Sequence, residues 1–471
     1  MLNQPKKMCL TNPSQLDNDN LSHEEVQALE EDLCIIKSAT RQGKRKVSGA
    51  LLSPPDSDCF SSSSSSSPAV SIRHSSLRAS ADITFELPIS SISSAALEFI
   101  GFNSETAEKI YARWLSRPTP NNNPDDLLNY VYGHILMLHL ESFRNYTPRE
   151  ALGVVGLASW LQDAILDTKH SAIFATETLS YWLKDTLKIN YHTLDHLLIR
   201  LKRYGVRSVA RRNKFKRGKI EGAFHPTVAT PAEEDDSSRP YATLNVEPGS
   251  FGLPRTWVAV QEAEPVPRDH CILYKGIAAL NTDYMEWVRH DGSISMKALA
   301  TYRGGDFNFS DDAWDWTPEL ETAEQYRSFA ERRCCYTDTW IISIHVPKTF
   351  LDTLRIRELW YSFDWKEYVW NCRKGMDPPE RYHIYFSNEV DLMKGHICSS
   401  HSNQVTRIKK ENVQDSLSGA HLMNESQKAT QWVFMNKETA ERLGREIRGK
   451  THIDVTAAGG KLEIDETMVS R

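Results

Sequence analysis

The stretch from Asp306 to Arg333 constrains the fold of this chain more than any other, because its hydrophobic period changes halfway along. Aromatic and polar residues alternate up to Trp316, and beyond it apolar residues recur at helical spacing. Thr317 as N-cap and Pro318 at the first helical position predict the start of the helix. The stretch therefore predicts a strand that passes directly into a helix, whose apolar face we expect to lie on a sheet. Junctions of this kind commonly hold ligands.

The charge of the chain is unevenly distributed. A length of 471 residues allows two or three domains, and a net charge of −6 gives no general attraction to nucleic acid. Ten Lys and Arg residues and no acid nevertheless lie between Arg200 and Lys219. This segment has three interpretations: a nuclear-import signal, a contact with a phosphate backbone, or a solvated linker. Any affinity for a polyanion is expected to be local to it.

The sequence does not indicate a secreted, membrane-spanning, disulfide-linked or metal-binding protein. The polar N-terminus lacks the apolar core of a signal peptide, and the longest apolar segment, 128–140, is interrupted by Gly133 and His134. We therefore expect a soluble cytoplasmic or nuclear protein without membrane association. Eight scattered cysteines without a C-x-x-C pair predict reduced thiols. His192 and His196 stand one helical turn apart without a third ligand, so no metal site is predicted.

Composition divides the chain into five segments. Residues 1–82, with seven consecutive serines, lack apolar density and predict a disordered tail. Residues 84–205 predict an independent helical bundle, with helices near 94–115, 125–143, 148–166, 174–188 and 193–204. Residues 206–256 are first basic and then rich in proline and acid, which predicts a linker. Residues 257–455 predict a mixed α+β domain, and residues 456–471 a second tail.

The expected bundle carries one complete helix start signal. Thr147 can cap the helix, Pro148 can open it, and Glu150 can close a capping box. No catalytic constellation accompanies these helices. We therefore expect the bundle to bind a protein acceptor or partner.

Strand and helix patterns alternate in the C-terminal half. HCILYKGI at 270–277 and TWIISIHVP at 339–347 predict strands, and QWVF at 431–434 predicts a strand followed by a helix. The segment ELWYSFDWKEYVWNCR, at 358–373, lies between them. The predicted fold class is therefore α+β, with an N-terminal all-α bundle ahead of a mixed domain.

The order of these motifs carries a family resemblance. It runs LYKG, then DF with an aromatic cluster ending in Thr and the helix ETAEQY, then WKEYVWNCR, then a final QWVF strand and helix. This order resembles the ADP-ribosyltransferase superfamily, specifically its toxin- and polymerase-like branch. The resemblance covers about residues 270–455, which is under half of the chain, and implies NAD as the substrate.

The resemblance implies binding roles for the first two motifs. Lys275 and Gly276 would contact the ribose or a phosphate of NAD. Trp314 or Trp316 would stack on the nicotinamide, and Thr317 would brace the pocket. If the segment is extended, the two tryptophans share one face and Asp315 the other, so either face could meet the ligand.

The third motif implies the catalytic group. Cleavage of the nicotinamide–ribose bond passes through a positively charged sugar, which an anionic side chain stabilises as the charge develops. Glu367 is the predicted catalytic carboxylate, and Asp364 is the alternative. If this segment is extended, Glu367 shares a face with Trp365 and Val369.

Two residues depart from the family pattern. Lys275 stands where such families place His or Arg, and lysine lacks the planar donor geometry that orients a ribose hydroxyl. Arg303, in YRGG, is an alternative match that lies close to the second motif. Asp315 stands where related sequences have an aromatic residue.

Two functions follow from the sequence. The first is an NAD-dependent ADP-ribosyltransferase-like protein that transfers ADP-ribose to a protein or other macromolecule. The second is a non-catalytic interaction protein on a degenerate transferase fold, acting through the helical bundle and the basic segment.

Overall fold

A computed structural model gives the conformation of the chain. It describes residues 21–37, 43–52, 70–74, 83–117, 125–138, 146–221, 257–260, 262, 265–279, 287–289, 291–301, 303–400 and 402–459. The runs of serine at 61–67 and of proline and acid at 226–254 lie outside these residues.

Helices and strands both contribute to the described residues, in agreement with the predicted α+β class. The helices are α1 (His23–Glu31), α2 (Ser94–Ile100), α3 (Ser104–Leu115), α4 (Leu127–Met137), α5 (Pro148–Val155), α6 (Ser159–Ile165), α7 (Ser171–Phe174), α8 (Leu179–Glu221), α9 (Leu320–Arg333), α10 (Lys348–Leu351), α11 (Phe363–Arg373), α12 (Ser402–Val405), α13 (Val413–Ser416) and α14 (Lys437–Glu446). The strands are β1 (Ile35–Ile36), β2 (Lys44–Ser48), β3 (Val70–His74), β4 (Thr84–Pro88), β5 (Trp257–Ala259), β6 (His270–Ala278), β7 (Trp314–Trp316), β8 (Thr339–Pro347), β9 (Ile356–Leu359), β10 (Leu392–His396), β11 (Met423–Asn424), β12 (Gln427–Lys428), β13 (Thr430–Phe434) and β14 (Thr451–Thr456).

Two larger sheets are built mainly from the C-terminal half, and β3 from the N-terminal region joins one of them. A five-stranded sheet has the order β5-β3-β14-β8-β6, and a four-stranded sheet has the order β7-β13-β10-β9. In the first, β8 lies antiparallel to both β14 and β6, and β3 lies parallel to β14 and β5. The strand predicted at β8 is confirmed, and Trp340, Ile342, Ile344 and Val346 all lie in the hydrophobic core. Ile341 and Ser343 between them are buried as well, so both faces of β8 are covered. A smaller sheet, β1-β2-β4, accompanies the helices.

Part of the expected disordered tail is folded. Helix α1 and strands β2 and β3 all lie within residues 1–82. Val70 and Ile72 of β3 are fully buried, and β3 pairs with β14 inside the five-stranded sheet. Five residues of alternating burial were too short a signal beside the serine run to predict a strand. Strand β1 lies in this region as well, and residues 1–20, 38–42, 53–69 and 75–82 lie outside the described part.

Two of the expected helices are each broken at a glycine. Gly101, with φ of 126°, separates α2 from α3, and Gly156, with φ of 84°, separates α5 from α6. Both glycines adopt a conformation that other residues rarely take, which ends a helix. The predicted capping box at Thr147 and Glu150 is confirmed.

Helix α8 is the longest element of the fold. Its 43 residues extend over roughly 64 Å at the usual rise per residue. Two helices with a break near residue 190 were expected. Asn190 does not interrupt the helix, because its side-chain amide donates to the carbonyl of Ile100 on α2, 3.2 Å away. Thr193 likewise bonds back to the Ile189 carbonyl of its own helix.

The basic segment is part of α8, so the expectation of a linker beginning at residue 206 is wrong up to Glu221. Lys202 pairs with Glu25 of α1 at 2.8 Å, and Arg211 and Arg212 pair with acids at the end of α1. These charges are therefore partly neutralised within the chain. Their pairing reduces the charge available for a polyanion.

Arg200, the first cation of that segment, is buried rather than solvated. Its side chain is 7% exposed, and Nη1 donates to the carbonyl of Leu51 at 2.6 Å. The carboxylate of Asp338, just before β8, is also buried; burial raises its pKa to about 6, while the Arg200 charge acts to lower it. Arg200 thus links α8 to the segment after β2 and to the five-stranded sheet.

One hydrophobic core runs through the helices and the five-stranded sheet. It joins Leu29 of α1, Ile100 of α2 and Leu194 of α8 to Trp340 of β8 and Ile453 of β14. The helical part therefore shares its core with the sheet, which differs from the expectation of an independent bundle. In the described part of the chain, no helix combines the length and apolar character needed to cross a membrane.

Replacing Arg200 tests this link. Arg200→Met is expected to lower the free energy of unfolding by about 2 kcal/mol, because a buried carbonyl loses a charged donor. The loss should be larger at pH 8 than at pH 5, since Asp338 without a facing cation is penalised most when it is ionised. Chemical unfolding at both pH values measures the effect. Arg207→Met, at an exposed position of the same helix, should change stability by less than about 0.5 kcal/mol; equal losses in the two variants would contradict the link.

Candidate functional site

The two larger sheets meet at one pair of residues. The Tyr274 amide of β6 donates to the Thr317 carbonyl at 2.7 Å, and the Thr317 amide donates back at 3.0 Å. This bridge joins an edge strand of the five-stranded sheet to the end of β7, while the strands otherwise belong to separate sheets. Side chains next to the bridge therefore lie at the point from which the two sheets diverge.

Lys275 lies at this point. Its Nζ donates to the backbone carbonyl of Asp315 at 3.0 Å and lies 6.0 Å from the centre of the Trp316 ring. The side chain is half-buried, and burial lowers the pKa of Lys275 while the Asp315 charge opposes that change. The first two predicted motifs are therefore brought together.

The two faces of strand β7 differ in their exposure to solvent. Trp314 and Trp316 are only 4% and 2% exposed, and the Trp314 indole donates to the Met296 carbonyl at 2.7 Å. Asp315 on the other face is half-buried and accepts a hydrogen bond from the Thr301 side chain. Of the two alternatives left by the sequence, the tryptophans thus face the core and Asp315 faces outward. Neither tryptophan offers an open ring for stacking.

Gly276 has a packing role. A Cβ on this residue would lie 1.9 Å from the Ala323 carbonyl oxygen, so only glycine lets α9 approach β6 this closely. The predicted contact with NAD through Gly276 is not supported by this position. The residue instead sets the spacing between the helix and the sheet.

Thr317 lies just before α9 but does not cap it. The helix begins at Leu320 with Glu319 at the N-cap position, which corrects the predicted start at Pro318. The Thr317 hydroxyl donates to the Glu319 carboxylate at 3.2 Å, and Glu319 also accepts from the hydroxyl and amide of Thr430 on β13. Thr317 is 6% exposed and braces the junction through these bonds.

Glu367 lies on helix α11, so the extended conformation considered for this segment does not occur. The side chain of Ser362 caps α11, and Trp365 and Val369 are buried on it. Glu367 instead forms an ion pair with Arg381 and accepts a hydrogen bond from the Tyr382 hydroxyl at 3.2 Å. Asp364, the alternative, accepts from the same hydroxyl at 3.0 Å. Among the described residues, no contact joins either acid to Lys275 or Asp315.

The carboxylate that does reach the junction is Glu177, from the connection between α7 and α8. It is half-buried, and burial raises its pKa to about 7. The charges of Asp315 and Asp306 act in the same direction, and Arg373 acts against them. Sequence reasoning missed Glu177 because it lies more than a hundred residues before β7, in a helical segment without a motif.

Two tyrosines accompany Glu177. Tyr326 of α9 is half-buried and hydrogen-bonds the Thr176 side chain, and Tyr181 of α8 is 38% exposed. Burial raises the pKa of both, and Glu177 and Asp315 or Asp306 add to the effect.

Lys275, Asp315, Glu177 and Tyr326 each retain accessible surface. Lys275 bonds to the Asp315 carbonyl, and the charge of Asp315 reaches Glu177 and Tyr181, while that of Glu177 reaches Tyr326. We call the surface at these four residues and Tyr181 the junction cleft.

A buried ion pair supports the cleft. Arg373 of α11 donates to Asp306 at 2.7 Å, and both side chains are under 5% exposed. Arg373 also donates to the carbonyls of Ser400 and Cys398, each at 2.6 Å. Asp306 further accepts from the Cys398 amide at 2.7 Å and from the Gln431 amide group at 2.8 Å. The network therefore leaves few of the polar groups of the pair unsatisfied.

A second polar depression, of about 450 Å³, lies between the start of β10 and the start of α14. Asp391 on its wall accepts from Arg355, Asn436 and Thr439, and these bonds hold the pKa of Asp391 well below its usual range. The Asp391 carboxylate is therefore already occupied by hydrogen bonds that hold these elements together. The junction cleft is the better candidate site.

Comparison of the chain with protein-family models, curated proteins and solved structures finds no match. The described residues also contain no group of three or more His, Cys, Asp or Glu side chains that could hold a metal ion. The likeness to ADP-ribosyltransferases therefore stays a prediction from the motifs, to be weighed with the geometry of the cleft.

Removing the Asp306 charge tests the supporting network. Asp306→Asn is expected to lower the free energy of unfolding by about 3 kcal/mol or more, because it leaves a buried arginine without its anion. Asp312→Asn, at an exposed position nearby in sequence, is the control. Chemical unfolding of both variants measures the difference, and similar stability of the two would show that the pair is dispensable.

Because its ionised form is unfavourable in the folded protein, replacing Glu177 by a neutral residue is expected to raise stability at high pH. A rise in pKa from 4.5 to about 7 destabilises the folded state at pH values above that range and has no effect below it. Glu177→Gln is therefore expected to raise the unfolding free energy at pH 8 by about 1–2 kcal/mol, less than the roughly 3 kcal/mol of the full shift because the residue keeps solvent access. Thermal unfolding at pH 5 and pH 8 tests this, with Glu321→Gln on the exposed side of α9 as control. A gain of the same size at pH 5 would disagree with the assignment.

Proposed function

We propose that the junction cleft binds NAD and that the protein is an NAD-dependent ADP-ribosyltransferase-like enzyme. The observation that carries the proposal is the position of Lys275 where the two sheets meet, with its ammonium bonded to the Asp315 carbonyl. Glu177, Tyr181 and Tyr326 lie close enough for the charges of Asp315 and Glu177 to influence them. NAD needs a partner of each kind: a cation or amide donor for the diphosphate or a ribose hydroxyl, a flat surface for the nicotinamide, and an anion for the sugar.

The cation in this proposal is Lys275. Its ammonium keeps further donors after the bond to the Asp315 carbonyl, because a lysine has three. Those donors suit a phosphate oxygen or a ribose hydroxyl. Arg303, which is exposed beside Gly304, is the nearest alternative in the sequence.

The anion in this proposal is Asp315 in place of Glu367. As the C1′–N bond of NAD breaks, the electron pair leaves with nicotinamide and the ribose becomes cationic. A carboxylate fixed beside it in a desolvated cleft stabilises the transition state more than the substrate. Burial raises the pKa of Asp315, and the Lys275 charge opposes that rise and so favours the ionised form.

The flat surface in this proposal comes from tyrosine. Tyr181 is exposed enough to stack on a ring, and Tyr326 lies near Glu177. Tyr181 and Glu177 both come from the helical part of the chain. That part would therefore help to select the protein or other macromolecule that accepts ADP-ribose.

A non-catalytic interaction protein is the second candidate. Its supporting observation is that Glu367 and Asp364 are engaged with Arg381 and Tyr382 instead of lining the cleft. Such a protein would bind NAD without cleaving it, or would not bind it.

Calorimetric binding of NAD and release of nicotinamide separate these functions. Lys275→Met is expected to weaken binding at least tenfold, because it removes the cleft cation. Asp315→Asn is expected to bind NAD within about threefold of the wild type and to release nicotinamide at least 100-fold more slowly, the usual effect of losing one electrostatic stabiliser.

Two controls accompany this test. Lys348→Met, at an exposed lysine of α10, should change neither quantity. Glu367→Gln should also release nicotinamide at nearly the wild-type rate; its inactivation would return the catalytic role to Glu367. Binding without release in the wild type would support the non-catalytic protein, and the absence of binding would reject the NAD site.

A further inference from the structure

Two large aromatic side chains are exposed within four residues of each other. Strand β9 ends at Leu359 and the Ser362 side chain caps α11, so Trp360 lies in the turn between them and Phe363 is the first residue of the helix. Trp360 is 38% exposed and Phe363 is 73% exposed. No other tryptophan or phenylalanine among the described residues is exposed. An aromatic pair left in water marks a surface that binds a partner.

Two lysines flank the ring of Tyr361, which lies between these aromatic residues in the sequence. The ammonium groups of Lys366 and Lys428 each lie 5.4 Å from the centre of the Tyr361 ring. Lys366 also lies 5.9 Å from the centre of the Phe363 ring. Its ammonium donates to a backbone carbonyl at 2.6 Å and is buried, whereas Lys428 keeps accessible surface. Positive charge therefore lies next to the exposed rings.

A third lysine extends the positive charge along β10. The Lys394 ammonium lies 3.8 Å from the centre of the Trp432 ring on β13. His396 follows two residues later on the same face of β10, and its ring centre lies 5.0 Å from that of Trp360. Lys394 and Trp360 therefore belong to one continuous surface. We call this surface the aromatic–lysine patch, with Trp360, Tyr361, Phe363, Lys394, Lys428 and Trp432 as its members.

The lysines at this patch have no acidic partners. In the part of the chain that the structure describes, none of Lys366, Lys394 and Lys428 forms an ion pair. The Glu358 carboxylate instead accepts a hydrogen bond from the Trp360 indole at 2.9 Å. The basic residues of α8, by contrast, pair with acids of α1. Unpaired cations beside exposed rings fit a ligand that presents both negative charge and flat apolar groups.

We propose that the aromatic–lysine patch binds single-stranded nucleic acid, with bases stacked on Trp360 and Phe363 and backbone phosphates at Lys394 and Lys428. A single strand presents both chemistries in every nucleotide, a flat base for a ring and a phosphate for an ammonium. A duplex keeps its bases within its own stack, and an acidic peptide supplies charge without a base. The patch shares no residue with the junction cleft, so the proposal does not depend on NAD binding.

The first test removes the rings. The full chain is titrated into labelled single strands of DNA and of RNA, about 20 nucleotides long so that they exceed one binding site, and fluorescence anisotropy is measured. Trp360→Leu and Phe363→Leu keep an apolar side chain but lose the flat ring, so each should weaken binding at least fivefold. Trp360→Phe keeps a ring and should bind within about threefold of the wild type.

The second test removes the charges. Replacing Lys394 and Lys428 together by Gln should weaken binding and reduce the slope of log affinity against log salt by about 1.4, since each phosphate contact of a single strand contributes about 0.7. Lys214→Gln with Lys348→Gln removes the same charge from exposed positions of α8 and α10 and is the matched control. This control should keep the affinity and slope of the wild type. Thermal unfolding of each variant confirms that it is folded.

Three further probes separate the possible partners. A strand of the same length without bases should bind at least fivefold more weakly than the intact strand, and it should not distinguish wild type from Trp360→Leu. A duplex of the same sequence and polyglutamate of similar charge should also bind more weakly. Binding of the DNA strand, the RNA strand or both in this pattern supports the proposal.

Four results overturn the proposal. They are no binding of either strand by the wild type, binding that survives the ring or lysine substitutions, a duplex that binds as tightly as the strand, and polyglutamate that binds as tightly, which would assign the patch to an acidic protein. Nicotinamide release without nucleic acid should be the same in all these variants as in the wild type. Failure of the patch therefore leaves the proposed function standing, and failure of NAD cleavage leaves the patch standing.

Discussion

The cleft depends on the buried pair between Arg373 and Asp306. Removing two charges from water is costly, and the cost is offset only when nearly every donor and acceptor is satisfied. Here the partners that satisfy them come from α11, from the loop before β7, from the end of β10 and from β13. Satisfying the pair therefore fixes the relative positions of these four elements, and one of them, β13, pairs with β7 at the junction.

The shared core extends this constraint to the helical part. Because α8 packs with α9 and with the five-stranded sheet, the turn before α8 has a fixed position relative to β7. Burial raises the pKa of Glu177, and the Asp315 charge adds to the rise although the two residues are far apart in sequence. A site assembled in this way cannot be transferred with the sheet domain alone, since one of its two acids belongs to the helices.

The sequence predicted the strands better than the site. Apolar residues in strand patterns predicted β6, β8 and β13, and the change of period located β7 and α9. The sequence left the conformation around Glu367 open, because a segment as aromatic as α11 also fits a strand until Ser362 is seen to cap a helix. It could not find Glu177, whose role arises from a tertiary contact without local pattern. The basic segment was taken for a linker for a related reason. Its acidic partners lie on α1, in a polar segment that was not expected to be part of the fold.

Lys275 and Asp315 appeared in the sequence as two separate departures from the family pattern, each suggesting a decayed site. In the structure they are adjacent, and each charge offsets part of the cost of burying the other. The two departures therefore place a cation and an anion side by side where the sheets meet, and this is the pair of charges that the proposed function uses.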